Sequence, residues 1–249
     1  MKKTATNCAP SVSLWISAFI CRASRRGRGF TLIEILIAIF ILAVVVSLVV
    51  SAFNGIFSNA DHINLGSDLY EMGTASLDRM AADLEAIHVL RYPRYSPPDM
   101  SDEKPEIYRV KGETRSVGGH TFAWLRFTSM AHLPLNHDTQ EGIAQIVYYV
   151  QQTTEGDFVI RRQDKLYPYP DFEESDTDPV LCEQVRGFSL IYYDAKGREY
   201  ETWDSQSDDT EYGTPRAIGI KLVLGDETAP YTFGTQVALP VYRYRPVKR

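Results

Sequence analysis

The chain has 249 residues, of which 44% are hydrophobic, 12% are aromatic and only three are Cys. This composition provides ample material for a folded core and excludes a disulfide scaffold. The formal net charge of −6 argues against a general nucleic-acid binder, because phosphate recognition requires an excess of Lys and Arg. This net charge is unevenly distributed along the chain. Residues 1–29 hold six basic and no acidic residues, a charge of +6, so subtracting +6 from −6 leaves a net charge of −12 on residues 30–249.

The basic N-terminal segment is followed by the longest apolar run in the chain. Residues 35–53 contain Ser47 and Ser51 as their only polar members, and a helix of that length spans roughly 28 Å, about the hydrocarbon thickness of a bilayer. Lys and Arg beside such a helix stay in the cytoplasm. We therefore expect a transmembrane helix over 30–57, with a cytoplasmic N-terminus and a periplasmic remainder. A secretory signal cleaved near 58–60 is the alternative, although the apolar run is too long for one.

The junction between the two segments carries the most specific motif of the chain. It reads Gly29-Phe30-Thr31-Leu32-Ile33-Glu34 and follows a run of arginines. A Glu inside an apolar helix is costly in lipid and indicates a functional site that requires a partner. The motif resembles the class III signal of type IV pilins and type II secretion pseudopilins. In those families a membrane aspartyl peptidase cuts after the Gly and methylates the new N-terminal Phe.

This resemblance implies a role for each residue of the junction. Residues 1–29 would be a leader peptide removed by prepilin peptidase, with Gly29 as its last residue and Phe30 as the N-methylated mature N-terminus. Thr31 and Glu34 would serve assembly. The Glu34 carboxylate would offset the α-amino group of a neighbouring subunit, so that two charges that are expensive in lipid enter the helical bundle as a pair.

A second helical pattern follows the membrane segment. Its apolar side consists of Leu69, Met72, Ser76, Met80, Leu84 and Ile87, at spacings of three or four. The charged residues, mostly elsewhere around the helix, are Asp68, Glu71, Asp78, Arg79, Asp83 and Glu85. The pattern predicts an amphipathic periplasmic helix over 58–90, ending before Tyr92-Pro93. Gly55, Gly66 and Gly73 would weaken this helix locally.

The remaining residues, 91–249, predict a periplasmic β-rich head. The segment 91–120 is rich in Pro and Gly and predicts a connector loop with at most one strand, at 107–111. From residue 121 the apolar period becomes two, and the predicted strands are 122–128, 145–151, 158–162, 187–193, 217–224 and 236–242. We therefore expect an α+β, pilin-like fold, in which a long N-terminal helix packs on one face of an antiparallel β head.

The head is similar to one narrower family, the J-type minor pseudopilins of type II secretion. The similar segments are 127–129, 146–150 and 159–162 in a first region, and 185–194, Trp203 and 215–218 in a second. The 220 residues that follow residue 29 in this 249-residue chain also suit the J type better than the shorter G, H and I types or the longer K type. Thr214-Pro215 is a departure, because a Leu-Pro pair is more familiar there.

The resemblance implies a non-enzymatic assembly protein of the pseudopilus tip. Its partners would be other pseudopilins (the I, K and H types and the major G type), prepilin peptidase and the inner-membrane secretion platform, and it would prime the filament that helps export folded proteins across the outer membrane. The alternative is a minor pilin of a type IV pilus or DNA-uptake system, which shares the N-terminal signal. Such pilins commonly have a disulfide-closed region, whereas Cys182 is the only Cys after residue 29, and a DNA receptor would have a basic head.

The sequence contains no recognisable catalytic motif. It has no Gly-rich phosphate loop, Gly-x-Ser-x-Gly, His-Glu-x-x-His or Cys-x-x-Cys, so we expect neither an enzyme nor a cofactor. His132 and His137 lack a third metal ligand. Two acidic runs, 173–178 and 204–211, offer oxygen ligands for Ca²⁺, but solvated loops are the preferred interpretation. Arg243 and the three bases that follow it predict a solvated basic tail.

Overall fold

The computed structural model describes residues 29–92, 94–95, 106–134 and 140–244, with the backbone alone for residues 54–65. The predicted leader upstream of Gly29, His137, most of the Pro-rich part of the connector and the bases beyond residue 244 lie outside the described residues. Chain contacts divide the protein into two compact units, Met1–Asn59 and Ala60–Arg249.

Helix α1 spans Leu32–Glu85 and contributes to both units. It ends because the chain then joins a sheet: Ile87 forms an antiparallel bridge with Ser129, and the N–H of Met130 donates to the carbonyl of Ala86 at 2.9 Å. The prediction of helix up to residue 90 is therefore wrong at its C-terminal end. The apolar pattern continues through Ile87 because this residue still faces the core, although in extended backbone.

Two antiparallel sheets form the second unit. Their strands, in chain order, are β1 (Lys111–Val117), β2 (His120–Ser129), β3 (Ala144–Gln152), β4 (Phe158–Leu166), β5 (Val180–Cys182), β6 (Val185–Tyr193), β7 (Glu199–Tyr200), β8 (Trp203–Asp204), β9 (Ala217–Leu224) and β10 (Tyr231–Ala238). The first sheet has the order β5-β4-β3-β2-β1-β8, and the second has the order β10-β9-β6-β7. A short 3-10 helix, Asp208–Thr210, lies between β8 and β9.

Five predicted strands are confirmed as β2, β3, β4, β6 and β9, with ends that differ by at most four residues. Two predictions are wrong. The expected strand at 107–111 is a turn that leads into β1, whose polar sequence pairs in full with β2 and lies in the segment predicted as a loop. The strand expected at 236–242 begins earlier, because Tyr231 already pairs with Leu224 of β9.

One hydrophobic cluster joins the helix to both sheets. Leu69, Met80 and Leu84 of α1 belong to the same buried cluster as Ile146 of β3 and Leu222 of β9. Each such aliphatic side chain stabilises the fold by about 1.5–3 kcal/mol through the apolar surface that it buries. Within Ala60–Arg249, the helix is therefore part of the core of the β head.

The glycines Gly66 and Gly73 of α1 allow strand β10 to pack closely against the helix. A Cβ atom on Gly73 would lie 2.7 Å from the ring of Phe233, and one on Gly66 would lie 2.7 Å from the hydroxyl of Tyr231. Both distances are too short for a side chain to fit without movement. Glycine costs about 1 kcal/mol of helix propensity at such positions, and here it makes room for two aromatic side chains.

Candidate processing and assembly site

The start of α1 is held by the predicted assembly residues themselves. Thr31 is the residue before the helix, and its Oγ1 accepts the backbone N–H of Glu34 at 3.3 Å. This contact satisfies one of the free N–H groups of the first turn, and the spacing Thr-x-x-Glu is that of a capping box. A carboxylate in the first turn also interacts favourably with the helix dipole. The Thr-x-x-Glu spacing is visible in the sequence, and the resemblance to the pilin signal does not by itself indicate the capping role of Thr31.

The predicted cleavage point lies outside the helix. Gly29 and Phe30 precede α1, a Cβ atom on Gly29 would meet nothing within 4 Å, and Phe30 is 78% exposed. A peptidase requires an accessible, non-helical backbone, and this geometry provides one. The roles of Gly29 and Phe30 in processing stay predictions.

The first turns of α1 form a long apolar surface. The segment Leu32–Phe53 is long and apolar enough to cross a membrane, and none of it is buried. Apolar surface in water costs about 25 cal/mol per Å², so a helix that exposes such side chains all round requires a lipid or protein environment. The segment therefore fits a membrane anchor.

In the second unit, a buried ionic cluster connects α1 to the first sheet. Asp83, predicted among the polar positions of the helix, is fully buried instead. Its carboxylate accepts hydrogen bonds from Arg162 Nε at 2.6 Å and Arg162 Nη2 at 3.1 Å, and from Arg79 and the Tyr148 hydroxyl. Burial, and then the Asp83 carboxylate, raise the pKa of Tyr148 well above its usual value. The paired charges are thus anchored on both the helix and the sheet, because Arg162 lies on β4 and Tyr148 on β3.

The same cluster engages the histidine considered as a metal ligand. Arg162 Nη1 donates to Asp164 Oδ2 at 2.7 Å, and His132 Nδ1 lies 2.7 Å from Asp164 Oδ1. The backbone N–H of Leu133 also donates to Asp164, at 2.9 Å. Within the described residues, no three His, Cys, Asp or Glu side chains come together as a metal site.

Two of the acids considered as Ca²⁺ ligands are engaged within the head. Asp178 is buried and accepts hydrogen bonds from the Tyr149 hydroxyl at 2.9 Å and from Gln163 Nε2 at 3.0 Å. Asp204 is paired with Arg109, whose Nε donates to it at 2.8 Å. The interpretation as a solvated acid is therefore wrong for Asp178, which is bonded to residues of β3 and β4. Asp204 is partly exposed and ion-paired.

Arg243 is another correction, because it was expected in a solvated tail and is only 1% exposed. Its guanidinium makes two parallel contacts with Glu106, at 2.7 and 2.9 Å, and lies 3.4 Å from the centre of the Tyr95 ring. It also donates to the backbone carbonyls of Leu90, Ser205 and Tyr212. This bidentate pairing with a carboxylate suits a buried arginine, and it connects the end of the described chain to the segment that follows α1.

The comparison with known families gives one result for the N-terminal region. Residues 24–50 match the Prokaryotic N-terminal methylation motif, and none of the curated proteins matches the chain. A prepilin-like motif of this kind supports a type IV pilin-like or pseudopilin protein. It implies processing by a prepilin peptidase and assembly with other pilin-like subunits. The apolar N-terminal helix followed by antiparallel sheets fits the α+β layout of such a protein.

Proposed function

We propose that the protein is a minor pseudopilin of a type II secretion system, of the J type, and that it acts in the pseudopilus tip complex. The observation that carries its pilin-like part is the methylation motif at 24–50, which overlaps the exposed apolar helical segment Leu32–Phe53. The J-type part rests on the resemblance of the head segments. A signal for processing and an anchor suited to helix packing thus occur together. The protein acts by assembly and is not an enzyme.

Processing would create the positively charged N-terminus that takes part in assembly. Prepilin peptidase cuts between Gly29 and Phe30 and methylates the new amine, which leaves a positive charge immediately before the capped helix start. The N-terminus faces the cytoplasm across the inner membrane, and the head is periplasmic. In the filament, the apolar side chains of Leu32–Phe53 exchange lipid for neighbouring helices.

Glu34 provides the partner for that positive charge. It lies in the first turn of α1 and is exposed, so its carboxylate is available to a neighbouring subunit. Thr31 supports it by holding the first turn through the 3.3 Å contact with the Glu34 N–H. Pairing Glu34 with the Phe30 amine of a neighbour offsets two charges that are each costly in lipid.

The head supports the secretion system over a pilus. The segments similar to the J type lie mostly in strands β2, β3, β4, β6 and β9. Cys182 is free and buried, so the described head has no disulfide of the kind common in pilins. The charge of −12 on residues 30–249, from −6 overall and +6 on residues 1–29, disfavours DNA uptake. These features favour association with I- and K-type subunits, which form the tip and prime the filament.

The first experiment tests processing. The full chain is expressed with a prepilin peptidase, extracted from membranes and analysed by mass spectrometry. We expect an N-terminus at Phe30 carrying one methyl group, and an uncleaved chain for Gly29→Glu. Glu34→Gln should still be cleaved but should assemble poorly, while Leu36→Val serves as a matched apolar control. A mature N-terminus near Ala60 would refute both the signal and the anchor.

The second experiment tests the finer assignment. The processed full chain, solubilised in mild detergent, is mixed with purified I-, K- and H-type pseudopilins and, separately, with minor pilins of a type IV pilus. A complex with the I and K types supports the tip role. A complex with pilins alone would overturn the secretion assignment and leave the processing result intact.

A further inference from the structure

Strand β6 has a free edge along most of its length. It pairs with β9 on one side throughout, whereas only its last two residues pair with β7 on the other. The N–H of Arg216 donates to the Tyr193 carbonyl from the β9 side, at 2.7 Å. Hydrogen-bonding direction alternates along an antiparallel strand. The backbone groups of Phe188 and Leu190 therefore point away from β9, toward an edge that no described strand covers.

An open cleft of about 530 Å³ lies along this edge. Its floor is apolar and consists of Phe122, Phe188 and Leu190, which are 2%, 2% and 5% exposed. Its rim is polar and includes Thr114 of β1, Glu199 and Glu201. The cleft thus combines unpaired backbone groups, an apolar floor and a charged rim.

The rim acids are available for a partner. Glu199 and Glu201 are exposed and have no ion pair within the described residues. By contrast, Glu113 on neighbouring β1 is paired with Lys111 and Arg115 at 2.5 and 2.6 Å. Two uncompensated carboxylates beside an apolar floor attract a segment that carries both apolar and basic side chains.

We propose that this cleft docks an extended segment of another protein, which adds a strand to the free edge of β6. Its main-chain groups pair with those of Phe188 and Leu190, its apolar side chains cover the floor, and its Lys or Arg side chains meet Glu199 and Glu201. Strand addition of this kind takes affinity from main-chain hydrogen bonds and specificity from alternate side chains. Among the other strand edges of the described sheets, that of β10 is less suited, because its Tyr231 and Phe233 side chains lie against Gly66 and Gly73 of α1.

The test uses the full chain in mild detergent and a synthetic capped peptide in which Val and Ile alternate with Thr between terminal lysines. We expect binding, with the amide hydrogens of Phe188 and Leu190 exchanging at least tenfold more slowly in the complex. The same peptide with N-methylated backbone amides should not bind, because it cannot donate to the strand edge. Equal binding by the methylated peptide would overturn strand addition.

Charge-reversal variants test the rim. Glu199→Lys combined with Glu201→Lys should weaken peptide binding at least tenfold, whereas Glu173→Lys combined with Glu174→Lys, two exposed acids outside the cleft, should leave it unchanged. Unchanged binding by the rim variant would contradict the charge argument. Protection confined to β10 amides would overturn the choice of edge. Protection of β6 that grows with protein concentration, without peptide, would replace the proposed partner by a second copy of this chain.

Discussion

Replacing Asp83 by Asn tests whether the buried ionic cluster fixes the helix to the sheet. The substitution keeps the shape of the side chain but removes its charge and one acceptor. Arg162 would then remain buried, at 3% exposure of its side chain, without the carboxylate that accepts its Nε at 2.6 Å and its Nη2 at 3.1 Å. The new amide would also place N–H donors against the guanidinium or the Tyr148 hydroxyl.

The expected magnitude follows from the burial of both partners. Breaking a buried ion pair by removing one member costs about 3–5 kcal/mol. The hydrogen bond from Arg162 Nη1 to Asp164 would remain and offset only part of this cost. In a domain of this size, 1 kcal/mol shifts Tm by about 2–4 °C. Asp83→Asn should therefore lower Tm by roughly 6–20 °C. The surface substitution Asp78→Asn, on an exposed position of the same helix, should change stability by less than about 0.5 kcal/mol.

The assay is urea and thermal unfolding of the full chain in mild detergent, monitored by tryptophan fluorescence, with Asp78→Asn as the matched control. A double-mutant cycle adds Arg162→Met and the double variant Asp83→Leu with Arg162→Met. The double variant should be more stable than the sum of the single effects implies, because it leaves neither charge buried alone. A loss below about 1 kcal/mol for Asp83→Asn, or strict additivity in the cycle, would refute the coupling.

Two further predictions concern packing and reactivity. Gly73→Ala should destabilise the head by about 1–3 kcal/mol, because the new Cβ atom would lie 2.7 Å from the Phe233 ring in a well-packed contact. Gly66→Ala should cost less, because its Cβ atom would meet mainly the terminal hydroxyl of Tyr231. Equal Tm values for the two variants would contradict the packing argument. Burial raises the pKa of Cys182 to about 11. A thiol reagent at pH 8 should therefore label Cys182 far more slowly in the folded chain than in the urea-unfolded chain, and equal rates at Cys182 would show that its thiol is accessible. Since the folded state holds the Cys182 thiol proton more tightly than the unfolded chain, the Cys182 contribution to stability is present below pH 9 and is lost as the pH rises toward 11. Cys182→Ala should flatten that pH dependence.

Much of the regular structure follows from local patterns. The apolar segment around Leu32–Phe53 and the strand Ala217–Leu224 are visible in the sequence, because each repeats its apolar residues with the period of its own backbone. Strand β1 could not be predicted in this way, because its residues Lys111–Val117 lack apolar alternation and become a strand only by pairing with β2. The early end of α1 at Glu85 has a similar cause, since residues after it bond to the end of β2.

The N-terminal motif is the part of this protein that the sequence by itself determined. Its residues, Gly29 to Glu34, are contiguous. The basic segment before them, the helix cap at Thr31 and the apolar run after them all depend only on residues that are neighbours along the chain. The tertiary structure decided which charged residues of the head are buried and with which partners they pair. Asp83 and Arg243 lie on patterns that predict solvent exposure, yet both are buried, because their partners Arg162 and Glu106 come from distant parts of the chain. Pairing between groups so far apart in sequence leaves no local periodic signal, and the cost of burying each charge is offset only once the fold brings its partner to it.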